Sequence, residues 1–202
     1  MAKKKTVYFC RECGYDAPKW MGKCPSCNNW NTFTEEIVDA KKGISNLVVE
    51  SSAKPEPIGN ITSSDIERLP SYSGELNRIL GGGIVPGSVI LLGGEPGVGK
   101  STLALPIALR SDNQTVLYVS GEESPRQIKQ RGERLGFNNE ECLIYCETLL
   151  PAILKQIKET KPHFVVIDSI QTVFTDEIES APGSVTQVRE CASQLLRLAK
   201  SS

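Results

Sequence analysis

Histidine is all but missing from this chain: His163 is the only one in 202 residues. It follows Pro162 at the start of an apolar run, a surface position, so neither histidine bases nor histidine metal ligands carry the chemistry. Net charge is missing too. Lysine and arginine number 23 against 24 acidic residues, which leaves −1 and no global field that would draw nucleic acid. No window approaches the roughly 18 apolar residues of a membrane span, and Met1-Ala2-Lys3-Lys4-Lys5 leads into cysteines instead of a signal peptide's apolar core. The expectation is a soluble, cytoplasmic protein with no membrane partner. A lid that would close over a phosphate acceptor is not recognisable either, which argues against a small-molecule kinase.

What is present centres on Gly93-Gly94-Glu95-Pro96-Gly97-Val98-Gly99-Lys100-Ser101-Thr102. Gly94, Gly99, Lys100 and Ser101 meet the phosphate-loop pattern G-x-x-x-x-G-K-[ST], and the flanks agree, with the apolar run Val89-Ile90-Leu91-Leu92 before it as a strand and Leu103 to Leu109 after it as a helix. Glycines let the backbone turn its N–H groups onto phosphates, and the helix adds the positive end of its dipole. Residues Gly94, Glu95, Pro96, Gly97, Val98, Gly99, Lys100, Ser101 and Thr102 are therefore expected to hold a nucleotide, ATP or ADP. Lys100 reaches the β and γ phosphates, and the Ser101 hydroxyl completes the shell of Mg2+. The plain alternative is a glycine-rich turn with an incidental lysine.

Ahead of this, Cys10-x-x-Cys13 and Cys24-x-x-Cys27 stand ten residues apart, each pair in a turn-forming context. Two such turns supply a tetrahedral shell of four thiolates, a closed structural site suited to zinc; two disulfides or a rubredoxin-type iron are the rivals. Residues 1 to 34 also hold six basic side chains against Glu12 and Asp16, and six of the twelve aromatics: Tyr8, Phe9, Tyr15, Trp20, Trp30 and Phe33. Stacking on bases is one reading of these rings. Packing around the metal, in a module too small for a core of its own, is the preferred one, with Trp20 and Trp30 the first exceptions to test.

The chain divides into this module at 1–34, a polar linker at 35–60 with a short strand at Leu47-Val48-Val49, and an α/β domain at 61–202. Two short elements, at Ile61 to Leu69 and Ser73 to Leu80, lead to the turn Pro86-Gly87-Ser88. After the loop, apolar strands at Thr115–Ser120, Cys142–Cys146 and Phe164–Asp168 alternate with helices at Pro125–Leu135, Leu150–Thr160 and Val185–Leu198, the pattern of a mostly parallel sheet covered on both faces. Cys142, Cys146 and Cys191 lack ligand spacing and read as small core residues. Asp168 ends a buried strand, where a nucleotide site places the aspartate that holds Mg2+ through water, unless it caps the turn. Glu122 and Glu123 end another, where a carboxylate could polarise the attacking water, or else open the helix at Ser124-Pro125. Arg126, Arg131 and Arg134 read as a solvated face, with service across a subunit interface the alternative, and Gln171 as a surface residue or a γ-phosphate sensor.

Four stretches together carry a resemblance: Trp20-Met21-Gly22-Lys23-Cys24-Pro25-Ser26-Cys27, the loop at 94–101, Ser120-Gly121-Glu122-Glu123-Ser124, and Ile167-Asp168-Ser169-Ile170-Gln171-Thr172. The chain resembles the bacterial RadA (Sms) family of DNA repair proteins, whose ATPase part is similar to the wider RecA and KaiC group. The resemblance implies a RecA-like P-loop core behind a zinc ribbon, with Glu122 the better candidate for activating water and Glu123 the second. It implies a ring-forming, DNA-dependent ATPase that acts with the RecA recombinase on branched intermediates and moves along single-stranded DNA. It also implies that the family continues past residue 202 with further strands. An apolar sheet edge is then expected here, with nucleotide bound but turnover, translocation and ring formation weak. A KaiC-like nucleotide switch, with the ribbon docking a protein partner, is the second reading.

Overall fold

A computed structural model describes residues 4–39, 57–60, 68–110, 114–136 and 139–201. The strand expected at Leu47–Val49, and most of the element expected at Ile61–Leu69, lie outside the described residues.

The first module is a small antiparallel sheet in the order β2-β1-β3, built from β1 (Lys4–Cys10), β2 (Asp16–Ala17) and β3 (Phe33–Asp39). Cys10 pairs with Phe33 and Lys4 with Asp39, so β3 follows β1 along its whole length. The sheet therefore runs five residues past the boundary at 34, into what reads as linker. Its core is Cys10, Ala17, Cys24 and Phe33, with Tyr8, Met21 and Cys27 packed against them. Tyr15 meets Phe33 edge to face. Trp20 and Trp30 are not in that core: they are 55% and 69% exposed.

The second module begins with α1 (Gly74–Ile79), whose N-cap Ser73 accepts from the Leu76 N–H, and continues through α2 (Lys100–Leu109). Then β4 (Val116–Ser120), β5 (Cys142–Tyr145) and β6 (Phe164–Asp168) form a parallel sheet in the order β5-β4-β6, with α3 (Pro125–Arg134), α4 (Leu150–Thr160) and α5 (Val185–Ser201) between and after them. All five residues of β4 are buried, because helices cover both sides of it. Val116 and Tyr118 face Leu105 and Ala108 of α2 and Ile128 of α3, while Leu117 and Val119 face Leu150 and Ile153 of α4 and Cys191 of α5. Period-2 alternation within a continuously apolar strand thus splits one sequence run between two cores.

The strand expected at Val89–Leu92 is absent. These four side chains are 53%, 48%, 83% and 43% exposed, and no described strand pairs with them. An apolar run becomes a strand only when a neighbour takes its backbone hydrogen bonds, and pairing is a long-range property that the run itself does not encode.

Candidate functional site

The two cysteine pairs fold into matching knuckles. Gly14 N–H donates to Cys10 O and Asn28 N–H to Cys24 O, both at 2.8–2.9 Å, and Gly14 and Asn28 each take the left-handed conformation, at φ 70° and 61°. Glycine and asparagine are the residues that adopt it most readily. All four Sγ atoms lie within 4.8 Å of one another. Cys10–Cys27 and Cys13–Cys24 stand at 3.6 and 3.5 Å, close to the edge of about 3.8 Å that a tetrahedron of 2.3 Å metal–sulfur bonds requires. Every cysteine is free, so disulfides are excluded as the reading of this motif. Burial raises the Cys10 thiol, but the Thr32 hydroxyl and the N–H groups of Cys13 and Glu12 outweigh it and hold it at about 6. The Asn29 N–H lowers Cys27, whereas burial and the neighbouring Cys10, Cys24 and Cys13 push it up to about 12. Four thiolates in this space need a cation among them, and the donor set fits zinc.

In the second module the chemistry gathers at the carboxyl ends of the parallel strands. The Asn139 side-chain amide, just ahead of β5, donates to Ala108 O near the end of α2, so α2 runs back from those carboxyl ends towards the strand starts. Its N-terminus therefore faces the site side of the sheet. The N-cap is Gly99, at φ 96°, with no side chain to claim the first N–H groups, which remain available to an anion. Gly94, Glu95, Pro96, Gly97, Val98, Gly99 and Thr102 are exposed, and Lys100 and Ser101 half-buried. Lys100 Nζ donates to Gly94 O at 2.9 Å and Glu95 O at 2.8 Å, which folds the ammonium over the mouth of the loop.

Asp168 ends β6 and accepts from the buried Tyr118 hydroxyl at 2.7 Å. Burial and the adjacent Asp168 both raise the Tyr118 phenol, so it stays a protonated donor. At the end of β4, the capping alternative for the two glutamates is answered by their neighbours: Ser124 caps α3, with Gln127 closing a capping box and Pro125 in the first turn. Glu123 pairs with Arg131, so this arginine is part of the interior and not of the solvated face expected for it. Arg126 and Arg134 are exposed as expected, as are His163 and Gln171. Glu147 accepts from the N–H groups of Thr148 and Leu149, which lower its pKa. Glu122 alone of the three is exposed, and it accepts from Ser169 Oγ at 3.0 Å, one residue beyond Asp168.

The structure thus joins Glu122 to the Asp168 segment through Ser169. Among the described residues no hydrogen bond joins the loop to either carboxylate, although α2 packs on both β4 and β6. Tyr118 and Ser169 are not among the sequence candidates, and Arg131 is there only as part of a solvated face. The sequence does carry a signal for Tyr118: a phenol in an otherwise aliphatic buried strand needs a partner for its O–H. Cys142 and Cys191 pack in the two cores, but Cys146 is exposed and donates to Glu123 O at 3.1 Å, against the expectation of a core residue.

Comparison with known proteins matches residues 8–35 to a rubredoxin metal binding domain and residues 54–201 to an AAA domain. The chain is 50% identical over 207 aligned residues to the DNA repair protein RadA of Halalkalibacterium halodurans, and 49% over 208 to that of Bacillus subtilis strain 168. The chain belongs to the AAA domain family. These alignments cover 100% and 99% of the chain but 45% of each RadA relative, so the chain spans less than half their length. A KaiC-like protein from Pyrococcus horikoshii OT3 superposes with a TM-score of 0.56 at 20% identity, over 67% of this chain and 68% of that one, a likeness of fold. The four cysteines form a zinc-binding ribbon, and the AAA domain match implies nucleotide and Mg2+ for the second module. No described helix is long and apolar enough to cross a membrane.

Proposed function

We propose that this chain is the nucleotide-binding part of a DNA-dependent ATPase of homologous recombination and repair. In this reading it processes branched intermediates with the RecA recombinase in the cytoplasm and assembles as a ring. The observation that carries the reading is the union of a phosphate loop and a zinc ribbon in one chain that is about half identical, over its own length, to proteins named for DNA repair. The units are the ribbon at 1–34, extended by β3, a linker to about 60, and the ATPase part at 61–202.

Gly94 to Thr102 cradle the phosphates, and Lys100 exchanges its two carbonyl acceptors for β- and γ-phosphate oxygens. The Ser101 hydroxyl and Asp168 would hold Mg2+, which when bound neutralises charge developing on the γ-phosphoryl group. Tyr118 fixes one oxygen of Asp168 and leaves the other free to act. Glu122 takes a proton from the attacking water as the bond between the γ phosphorus and its bridging oxygen breaks, and Ser169 orients that carboxylate. Glu123 is held by Arg131 and takes no part in the proton transfer.

The test follows ATP binding, ATP hydrolysis and binding of a single-stranded oligonucleotide, for the wild type and for Lys100→Ala, across a salt series. DNA binding that depends on nucleotide and is lost in the variant supports the reading. ATP binding without DNA affinity at low salt refutes it and leaves a nucleotide switch whose ribbon docks a protein partner.

A further inference from the structure

We propose that the zinc ribbon carries a stacking surface for single-stranded DNA, formed by Trp20 and Trp30 with Lys23. The inference deepens the DNA-dependent reading above and takes from it only the choice of DNA. A module this small gains most by burying its indoles, because each carries about 150–250 Å² of surface. Here both are left outside a core that Cys10, Ala17, Cys24 and Phe33 already fill.

The indoles also stand together. A Cβ at Gly22 would lie 3.7 Å from the Trp30 ring and 3.8 Å from the Trp20 ring, so the rings come within about 7.5 Å of each other across a residue without a side chain. The backbone of Trp30 and of the Gly22–Lys23 segment between the rings is fixed by the metal knuckle. Lys23 and Trp30 form an antiparallel bridge, Asn31 N–H donates to Gly22 O at 2.7 Å, and Cys24 N–H donates to Asn29 O at 2.9 Å. An aromatic face on a fixed backbone loses little entropy when a base settles on it.

Charge selects the occupant. Lys23 Nζ sits 5.8 Å from the Trp30 ring centroid, Lys19 is exposed beside Trp20, and residues 17–34 contain no carboxylate. Every acidic residue of the ribbon lies outside that stretch, at Glu12, Asp16 and along β3. Aromatic faces interleaved with cations suit a chain of bases and phosphates, with the bases unpaired so that they can leave one another and stack on indole.

These are the only two tryptophans in the sequence, so its tryptophan emission, excited selectively over tyrosine, reports on this surface alone. The zinc-loaded chain is titrated with oligothymidylate, and with an abasic deoxyribose-phosphate oligomer of equal length, at about 50 and 200 mM salt. Stacking predicts saturable quenching by oligothymidylate that weakens with salt, and none by the abasic oligomer. Trp20→Ala and Trp30→Ala should each weaken binding about tenfold, while Trp30→Phe, which keeps a ring, stays within about threefold of the wild type. Zinc content shows that each variant is folded, and quenching of the wild type is evidence that needs no variant. Unchanged emission at a concentration where anisotropy shows labelled oligothymidylate bound overturns the proposal. So do equal affinities for the two oligomers, no binding at the lower salt, or an emission change produced by a protein ligand but not by oligothymidylate. If stacking is found while ATP neither binds nor alters DNA affinity, the surface stands and the ATPase reading falls. ATP-dependent DNA binding with unquenched emission does the reverse: the ATPase reading stands and the stacking surface falls.

Discussion

Tyr118 and Asp168 form a hydrogen bond with one partner buried and the other at the edge of the site. Tyr118→Phe deletes the O–H and leaves a half-buried carboxylate oxygen unpartnered at the end of β6, which costs about 1–2 kcal/mol of stability. A freed Asp168 also holds Mg2+ less well. The expected signature is a several-fold rise in the Mg2+ concentration needed for half-maximal ATP binding, with Mg2+-independent nucleotide binding unchanged. Magnesium titrations of the two proteins check this. The adjacent glutamates separate more sharply, because their partners differ. Glu122→Gln keeps a side chain that Ser169 can still reach but removes the proton acceptor, so hydrolysis should fall about a hundredfold with ATP binding intact. Glu123→Gln strands Arg131, whose side chain is 16% exposed, and should lower stability by about 2 kcal/mol. Parallel melting curves and single-turnover hydrolysis distinguish the pair, and equal loss of hydrolysis at equal stability would remove the distinction drawn between them.

Elements that depend on local signals were legible in the sequence. The strands β4, β5 and β6, and the helices α2 to α5, were read to within about four residues at either end, because continuous apolar runs and side-chain caps such as Ser124 declare themselves. The cysteine shell was legible for the same reason: its spacing is local. What failed was what depends on distant partners. Val89–Leu92 has strand composition and no pairing, whereas Phe33–Asp39, with Glu35, Glu36 and Asp39, looked like linker and forms a strand because β1 pairs with it throughout. The joining of Glu122 to Ser169 is likewise a product of topology, since parallel β4 and β6 end side by side. Gly121 marks that junction. A methyl group there would collide with the side chain of Thr172 and stand 2.9 Å from Thr148. Gly121→Ala should therefore push the 169–172 turn away from Glu122 and reduce hydrolysis as much as Glu122→Gln, with a loss of stability that Glu122→Gln does not show. Thermal melts beside hydrolysis rates test both parts.

At the scale of the molecule the two modules have different sources of stability. The ribbon has few buried side chains and relies on its thiolate shell, while the α/β module has two apolar clusters on either side of β4. Zinc removal by a strong chelator should unfold β1–β3 and leave the helical circular dichroism signal in place. Hydrogen exchange checks it: the amides of Cys10 and Cys24 should lose protection and those of β4 keep it. A single cooperative loss of both would show that the contact of Gly14 with Val185 and Arg189 couples the modules more strongly than their separate cores imply.

The unpaired run at 89–92 is also the stem on which the phosphate loop stands. A strand pairing with it would fix the height of Lys100 relative to Asp168, and so set how well a triphosphate is grasped. Linkage makes the effect mutual: if pairing tightens nucleotide binding by some factor, nucleotide tightens pairing by the same factor. The loop is then as much a sensor of whether this run is paired as a binder of phosphate. A nucleotide affinity that does not change when the run acquires a partner strand would mean that the loop is already set without it.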